Sequence, residues 1–306
     1  MMKKLINIPL SSAQFLSEVV ERDMYIARSA VSPSLVNWDD FNTALYCMEA
    51  GAPHIRLHKE GLVPEENYTE HHSIVGVSAK RLNQQALGKY MQGGATLVLN
   101  RIDSKSEIIR QLCDEISEFS QSETIANGYV AFSGHGSFGN HWDTHDVMAV
   151  QLIGRKHWKV YKPTFELPIS GQTSKKHKHD FVGEPVFDGI LEAGDLMYLP
   201  RGWWHNALPI GETFHVAIGM HNATVLNFLQ WLCQGELKER IQLRQSIRPS
   251  RENVTSVNDA IDIVKSAMAS RHLLDAFIDA VQAQTHHGYR PFSIESFDPN
   301  LRKAVL

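Results

Sequence analysis

The sequence predicts a mainly β protein, an antiparallel sandwich or barrel, with helices before it and a helical region after it. Two observations carry that reading. From residue 127 to about 222, short β-like runs (NGYVAFS, DVMAVQLI, KHWKVYKP, GDLMYLP, TFHVAIGM) alternate with Gly, Pro and Asp, the texture of antiparallel all-β folds. On both sides of this stretch the apolar residues fall instead at helical spacing.

The elements follow in order. SSAQFLSEVVE at 11–21 sets serines ahead of Phe15, Leu16, Val19 and Val20, an N-capped amphipathic helix. MYIARSAV reads as a strand. NWDDFNTALYCMEAG reads as a helix capped near Asn37 or Asp39 and closed by Gly51. GGATLVLNRI at 93–102 is an apolar strand, and Ile108, Ile109, Leu112, Ile116 and Phe119 mark the clearest helix. The polar, basic SGQTSKKHKHDF at 170–181 is expected to be a mobile surface loop. Residues 224–245 and 256–284 read as helices separated by RPSREN at 248–253.

The totals exclude several classes. A net charge of −4 gives no bulk attraction to nucleic acid or membrane. Three cysteines, Cys47, Cys113 and Cys233, are an odd count without C-x-x-C spacing, against a disulfide framework or structural zinc and for a reducing cytosol. The short apolar stretch near the N-terminus is below signal-peptide length and no segment approaches transmembrane length, so a cytoplasmic protein is expected. Sixteen histidines direct attention to metals.

The chemistry concentrates in HWDTHDVMAVQLIGRKHW at 141–158. On a strand, His141 and Asp143 would face the same side. Alone, the pair is as readily a hydrogen-bonded structural pair at a strand end. A third donor, His205, ends GDLMYLPRGWWH, where the P-R-G turn can aim its imidazole inward. Two histidines and one carboxylate on one face, with other positions open, suit non-haem Fe(II) chemistry. His145 makes H-x-D-x-H and is the competing ligand. Asp146 reads as a supporting or turn residue, and His215 equally as core or site. Trp142, Trp203 and Trp204 are candidates to wall a substrate opening. His71, His72, His177, His179, His286 and His287 read as exposed or loop histidines.

These residues resemble the JmjC-type, cupin-fold 2-oxoglutarate oxygenases, in particular the ribosomal-protein hydroxylases. The resemblance covers roughly residues 10 to 222. It is carried by His141, Asp143, Gln151, Gly154, Arg155, Lys156 and Trp158, then by Gly194, Asp195, Tyr198, Pro200, Gly202 and His205. It implies a double-stranded β-helix (a jelly-roll, cupin/JmjC barrel) over residues 1–222 and a helical C-terminal region over 223–306. Dimerising helices are implied there, with a truncated or absent winged helix. It further implies that His141, Asp143 and His205 bind Fe(II), with 2-oxoglutarate and O2 as cosubstrates. Lys156 would pair with the distal carboxylate of 2-oxoglutarate, and a buried dicarboxylate does need a cation. Asn127 matches an amide that helps hold the cosubstrate, and Tyr129 shares its strand face.

The sequence departs from the family at Asn140, where proline is usual. It departs again at His215 and Gly219, where relatives can offer a hydroxyl. The implied activity is hydroxylation of a protein side chain, an arginine or histidine of a ribosomal protein, by a homodimer that does not bind nucleic acid directly. The alternatives are oxidation of a small molecule or peptide, a different cupin metalloenzyme, or a non-catalytic binding scaffold.

Overall fold

The computed structural model describes residues 4–134, 136–181, 183–247 and 254–285. Its contacts divide the chain into two units, Met1–His221 and Asn222–Leu306.

In the first unit, Ser11 caps a short helix, α1 (Ser12–Gln14), that runs on as a π turn (Phe15–Val19) and buries Phe15 and Val19. The strand β1 (Tyr25–Ala27) follows, then α2 (Trp38–Tyr46), whose Asn37 side chain accepts from the backbone of Asp39 and Asp40. That helix ends at Cys47 rather than at the expected Gly51. Next come β2 (Ile55–His58), a hairpin of β3 (Thr69–Ile74) and β4 (Val77–Leu82), α3 (Gln84–Gln92) and β5 (Thr96–Leu99). The amphipathic α4 (Glu107–Ser120) buries Ile109, Leu112, Cys113 and Ile116, the face its periodicity predicts.

The site-bearing strands are β6 (Glu123–Ala131), β7 (Asp146–Tyr161), β8 (Phe187–Glu192), β9 (Leu196–Leu199) and β10 (Trp204–His221). The runs DVMAVQLI and KHWKVYKP, which read as two strands, are one. The antiparallel order is β1-β9-β7-β10-β6-β5-β2, with β8 on the far half of β7. β7 and β10 pair along both halves, and their register shifts between Ile210 and Phe214. Gly154 makes the shift possible: its φ is +66°, and a Cβ there would lie 2.0 Å from the Glu212 carbonyl oxygen. The first half of β7 pairs with β9 and the second with β8, so one bent ribbon serves two sheet faces.

The basic segment at 170–181 is more ordered than expected. It forms two 3-10 turns, with Ser174 buried and the His177 ring 4.7 Å from that of Phe165.

The second unit packs α5 (Val225–Gln234), α6 (Val254–Met268) and α7 (Arg271–Thr285) around Phe228, Leu232, Leu237, Ala267 and Phe277. The two expected helices are three: α5 gives way to 3-10 turns after Gln234, and residues 269 and 270 separate α6 from α7. The RPSREN break lies outside the described residues.

Candidate metal centre and its cavity

His141 and Asp143 do not sit within a regular strand. His141 makes a single antiparallel bridge to His205, and the chain then bends before β7 starts at Asp146. The bend does what strand alternation was expected to do. It is tied to the turn that precedes β10: Gly202 N–H donates to the Asp143 carbonyl at 3.0 Å, and Arg201 N–H to the Asp146 carboxylate at 2.8 Å. Gly202 has a φ of +86°, and a Cβ would meet the Phe165 carbonyl oxygen at 2.5 Å. Glycine lets the PRGWWH turn close tightly enough to bring His205 back.

The outcome is a cluster in which His141, Asp143 and His205 each offer a ligand atom, all within 4.8 Å of one another. His205 Nε2 lies 3.6 Å from Asp143 Oδ2, too far for a hydrogen bond and near enough to share an ion. Each imidazole is oriented by a backbone carbonyl: His141 Nδ1 meets Gly139 O at 3.0 Å, and His205 Nδ1 meets Trp203 O at 3.1 Å. A carbonyl can only accept, so both rings carry their proton on Nδ1 and keep the Nε2 lone pair for a ligand bond. Two neutral imidazoles and a carboxylate suit a divalent transition metal.

The electrostatics agree. His205 is pushed down to about 4, by burial first and then by His141. Burial alone would raise the Asp143 carboxyl, but His205, His141 and His145 outweigh it and hold it below its ordinary value. His205 is buried while His141 and Asp143 are half-buried, which leaves a side open for reactants.

The cluster forms one end of a cavity of about 230 Å³. The same cavity is lined by Lys156, Tyr129, Trp158 and His215. Lys156 is 3 % exposed, and burial pushes its amine down to about 7. Its Nζ lies 2.8 Å from His215 Nδ1. The Tyr129 ring stacks on His215 at 5.0 Å, and its hydroxyl is raised by burial and then by Asp143. The buried indole N–H of Trp158 has no hydrogen-bond partner among the described residues. A buried lysine, a free indole N–H and a phenol in one small cavity suit a small anion.

Residues 98–228 match the JmjC domain. Among curated proteins it is 31 % identical over 165 residues to the bifunctional lysine-specific demethylase and histidyl-hydroxylase NO66 of Drosophila mojavensis, covering 53 % of this chain and 18 % of that one. It is 28 % identical over 253 residues to ribosomal oxygenase 1 of Gallus gallus, covering 78 % and 41 %. The chain thus spans less than half the length of these relatives. Its fold resembles that of YcfD, a ribosomal oxygenase from Escherichia coli, at a TM-score of 0.56 and 15 % identity over 89 % of this chain and 70 % of the other. The same protein in complex with cobalt and 2-oxoglutarate gives 0.56 at 16 % identity, over 88 % and 70 %. The likeness to these structures is one of fold, a barrel followed by C-terminal helices.

Within the matched residues 98–228, Lys156 and Tyr129 reach the cavity together with the three-residue cluster. Asn127 is not among the residues that line it; its Oδ1 accepts from Arg101 N–H at 3.1 Å. His145 turns away to stack on His221 at 4.8 Å. Trp142, Trp203 and Trp204 do not wall an opening; they are 3 %, 3 % and 0 % exposed and belong to the packed interior. Their neighbours explain it, since Trp142 stacks on Phe165 and Lys162 Nζ sits 4.2 Å over Trp203. His71 is exposed, whereas His177 is half-buried against Trp142 and bonded to Asp180. His286 and His287 lie outside the described residues. Sequence reasoning left Trp158 as a motif member and did not single out Thr96, Ser137, Phe138 or Asn206, which also line the cavity. Ser137, Phe138 and Asn206 stand within four residues of a matched histidine, whereas Thr96 carried no such signal.

Proposed function

We propose that the protein is an Fe(II)- and 2-oxoglutarate-dependent oxygenase that hydroxylates a protein side chain. The observation that carries this reading is the convergence of His141, Asp143 and His205 at one end of a cavity that holds the buried Lys156. Bound there, Fe(II) would couple O2 and 2-oxoglutarate to oxidation of a C–H bond, releasing succinate and CO2.

The protein's own residues do the rest. Gly139 O and Trp203 O keep both imidazoles in the tautomer that leaves Nε2 free. Lys156 supplies the cation for a carboxylate, and Trp158 Nε1 and the Tyr129 hydroxyl are further donors. Val147, Leu199, Ala207 and Ala217 line the cavity with apolar surface that keeps water from the reacting groups. The half-exposed side of His141 and Asp143 is where a substrate side chain would enter.

The names of the relatives support a ribosomal protein as substrate and a histidine as the target; an arginine target rests on the family resemblance of the sequence alone. Three free thiols support a cytoplasmic setting. The exposed Val225 and Leu226 on α5 support pairing with a second copy.

The test is to incubate the Fe(II)-loaded protein with 2-oxoglutarate, O2 and a ribosomal protein fraction. Succinate release and a one-oxygen mass gain on a histidine or arginine are expected. Succinate with no modified protein would redirect the reading to a small-molecule substrate. No metal uptake and no succinate would leave a binding scaffold.

A further inference from the structure

Lys156 is a buried cation whose partner is a base. Its Nζ meets Nδ1 of His215 at 2.8 Å, and burial pushes its amine down. Such a pairing leaves the charge uncompensated until an anion arrives. A lysine also has a flexible stem and three rotatable donors, so it does not by itself present them in one direction.

His215 does have a fixed direction. It lies on β10, paired with Tyr129 on one side and Gln151 on the other. Its ring stacks on Tyr129 with planes 17° apart and meets Trp158 edge-on at 5.6 Å and 85°. Flanked by these strands and rings, the buried imidazole is packed on both its face and its edge.

We propose that His215 is a positioning residue for carboxylate recognition: its Nδ1 accepts one N–H of Lys156 and so aims the remaining N–H bonds at a carboxylate in the cavity. This rests on the 2-oxoglutarate reading above and deepens it by assigning the device that selects for a second carboxylate. With Nδ1 engaged as acceptor, the imidazole keeps its proton on Nε2 and holds the lysine in one way only. A hydroxyl at this place could both donate and accept, and could rotate.

The test uses the full chain loaded with Mn(II) under anaerobic conditions. 2-Oxoglutarate is titrated calorimetrically, alongside 2-oxopentanoate, which lacks the distal carboxylate. His215→Leu is expected to weaken 2-oxoglutarate binding about ten- to a hundredfold, the range for a lost charge-assisted hydrogen bond. Its affinity for 2-oxopentanoate stays unchanged. His215→Asn, whose amide oxygen can accept as Nδ1 does, recovers most of the loss. Mn(II) affinity without 2-oxoglutarate is the same in all three proteins, which guards against misfolding. In turnover the KM for 2-oxoglutarate rises while kcat is little changed. In a Lys156→Met background, His215→Leu adds no further loss.

Equal 2-oxoglutarate affinity in the wild type and His215→Leu would overturn the inference and leave the functional reading intact. So would an asparagine no better than leucine, or an additive loss in the Lys156→Met background. A wild type that binds Mn(II) but no 2-oxoglutarate would overturn the functional reading and the inference with it.

Discussion

His141 and His205 exchange both of their backbone hydrogen bonds: His141 N–H donates to His205 O at 3.1 Å, and His205 N–H donates to His141 O at 2.8 Å. Their rings lie 4.3 Å apart. The main chain therefore sets the separation of these two imidazoles, and their side chains contribute nothing to holding the bridge. Main-chain bonding thus fixes where the two imidazoles stand, and a geometry held by the fold lowers the ordering cost of metal binding.

Replacing a side chain at this centre should accordingly separate binding from folding. Asp143→Ala is expected to lower Mn(II) or Fe(II) affinity by more than about a hundredfold, since even residues that only orient ligands are worth ten- to a hundredfold. Its circular dichroism and metal-free Tm should stay near those of the parent. A chelator should abolish succinate formation and Fe(II) should restore it. An Asp143→Ala protein that still bound metal with parental affinity would remove the carboxylate from the centre.

Lys156 gives a pH dependence with a definite sign. Burial holds its amine down to about 7, so above pH 7 the unliganded protein carries it neutral. A bound carboxylate favours the ammonium and raises that value again. Binding of 2-oxoglutarate is therefore expected to take up a proton at pH 8 and to weaken by up to about tenfold per pH unit above 7. Calorimetry in two buffers of different ionisation enthalpy measures the uptake; none at pH 8 contradicts the assignment.

The same group governs stability in the metal-free, ligand-free protein. Its folded value lies below the value in the unfolded chain, so the unfolded state binds more protons between about pH 7 and 10.5 and stability rises with pH across that window. The destabilisation is fully present below pH 7. Lys156→Met should raise Tm at pH 6.5, and the gain should shrink as pH approaches 10. A thermal melt series of the two proteins measures it, and a gain independent of pH would contradict the assignment.

Gly154→Ala should be among the most damaging single changes in the barrel. It adds a Cβ 2.0 Å from Glu212 O at a residue with φ +66°. Backbone rather than a side chain must move, and a loss of about 3 kcal/mol or more is expected. Gln151→Leu attacks the same bend from the other side. The Gln151 amide donates to Ile153 O at 2.8 Å, to Thr213 Oγ1 at 2.6 Å and to Phe214 O at 3.3 Å. Its loss should cost about 1–3 kcal/mol through the buried groups left unpaired. Urea unfolding of both variants measures these losses; values near zero would mean the bend is not held in this way.

The Q-x-x-G pair shows what was legible before coordinates and what was not. Gln151 and Gly154 were readable as matched positions, but nothing local said that one bridges and the other permits a register shift in a strand that looked like two. The amphipathic α4 was legible because Ile109, Leu112 and Ile116 are close in sequence and share a face. The tryptophans misled because an aromatic beside a ligand has the same composition whether it lines an opening or fills a core. The bond that Asn127 makes to Arg101 N–H was not legible either, since that partner is set by the turn before α4.

The chain's order of residues determined the chemical groups on offer: two imidazoles, a carboxylate and a lysine in a region of short strands, with an apolar helical tail. Only the tertiary structure decided which of the histidines meet, that His145 leaves the cluster, and that His215 faces Lys156 rather than the packed interior. Such meetings depend on antiparallel register and on a bend between distant strands. Those are set by packing and hydrogen bonding over the whole barrel, to which any short stretch of sequence contributes only one side.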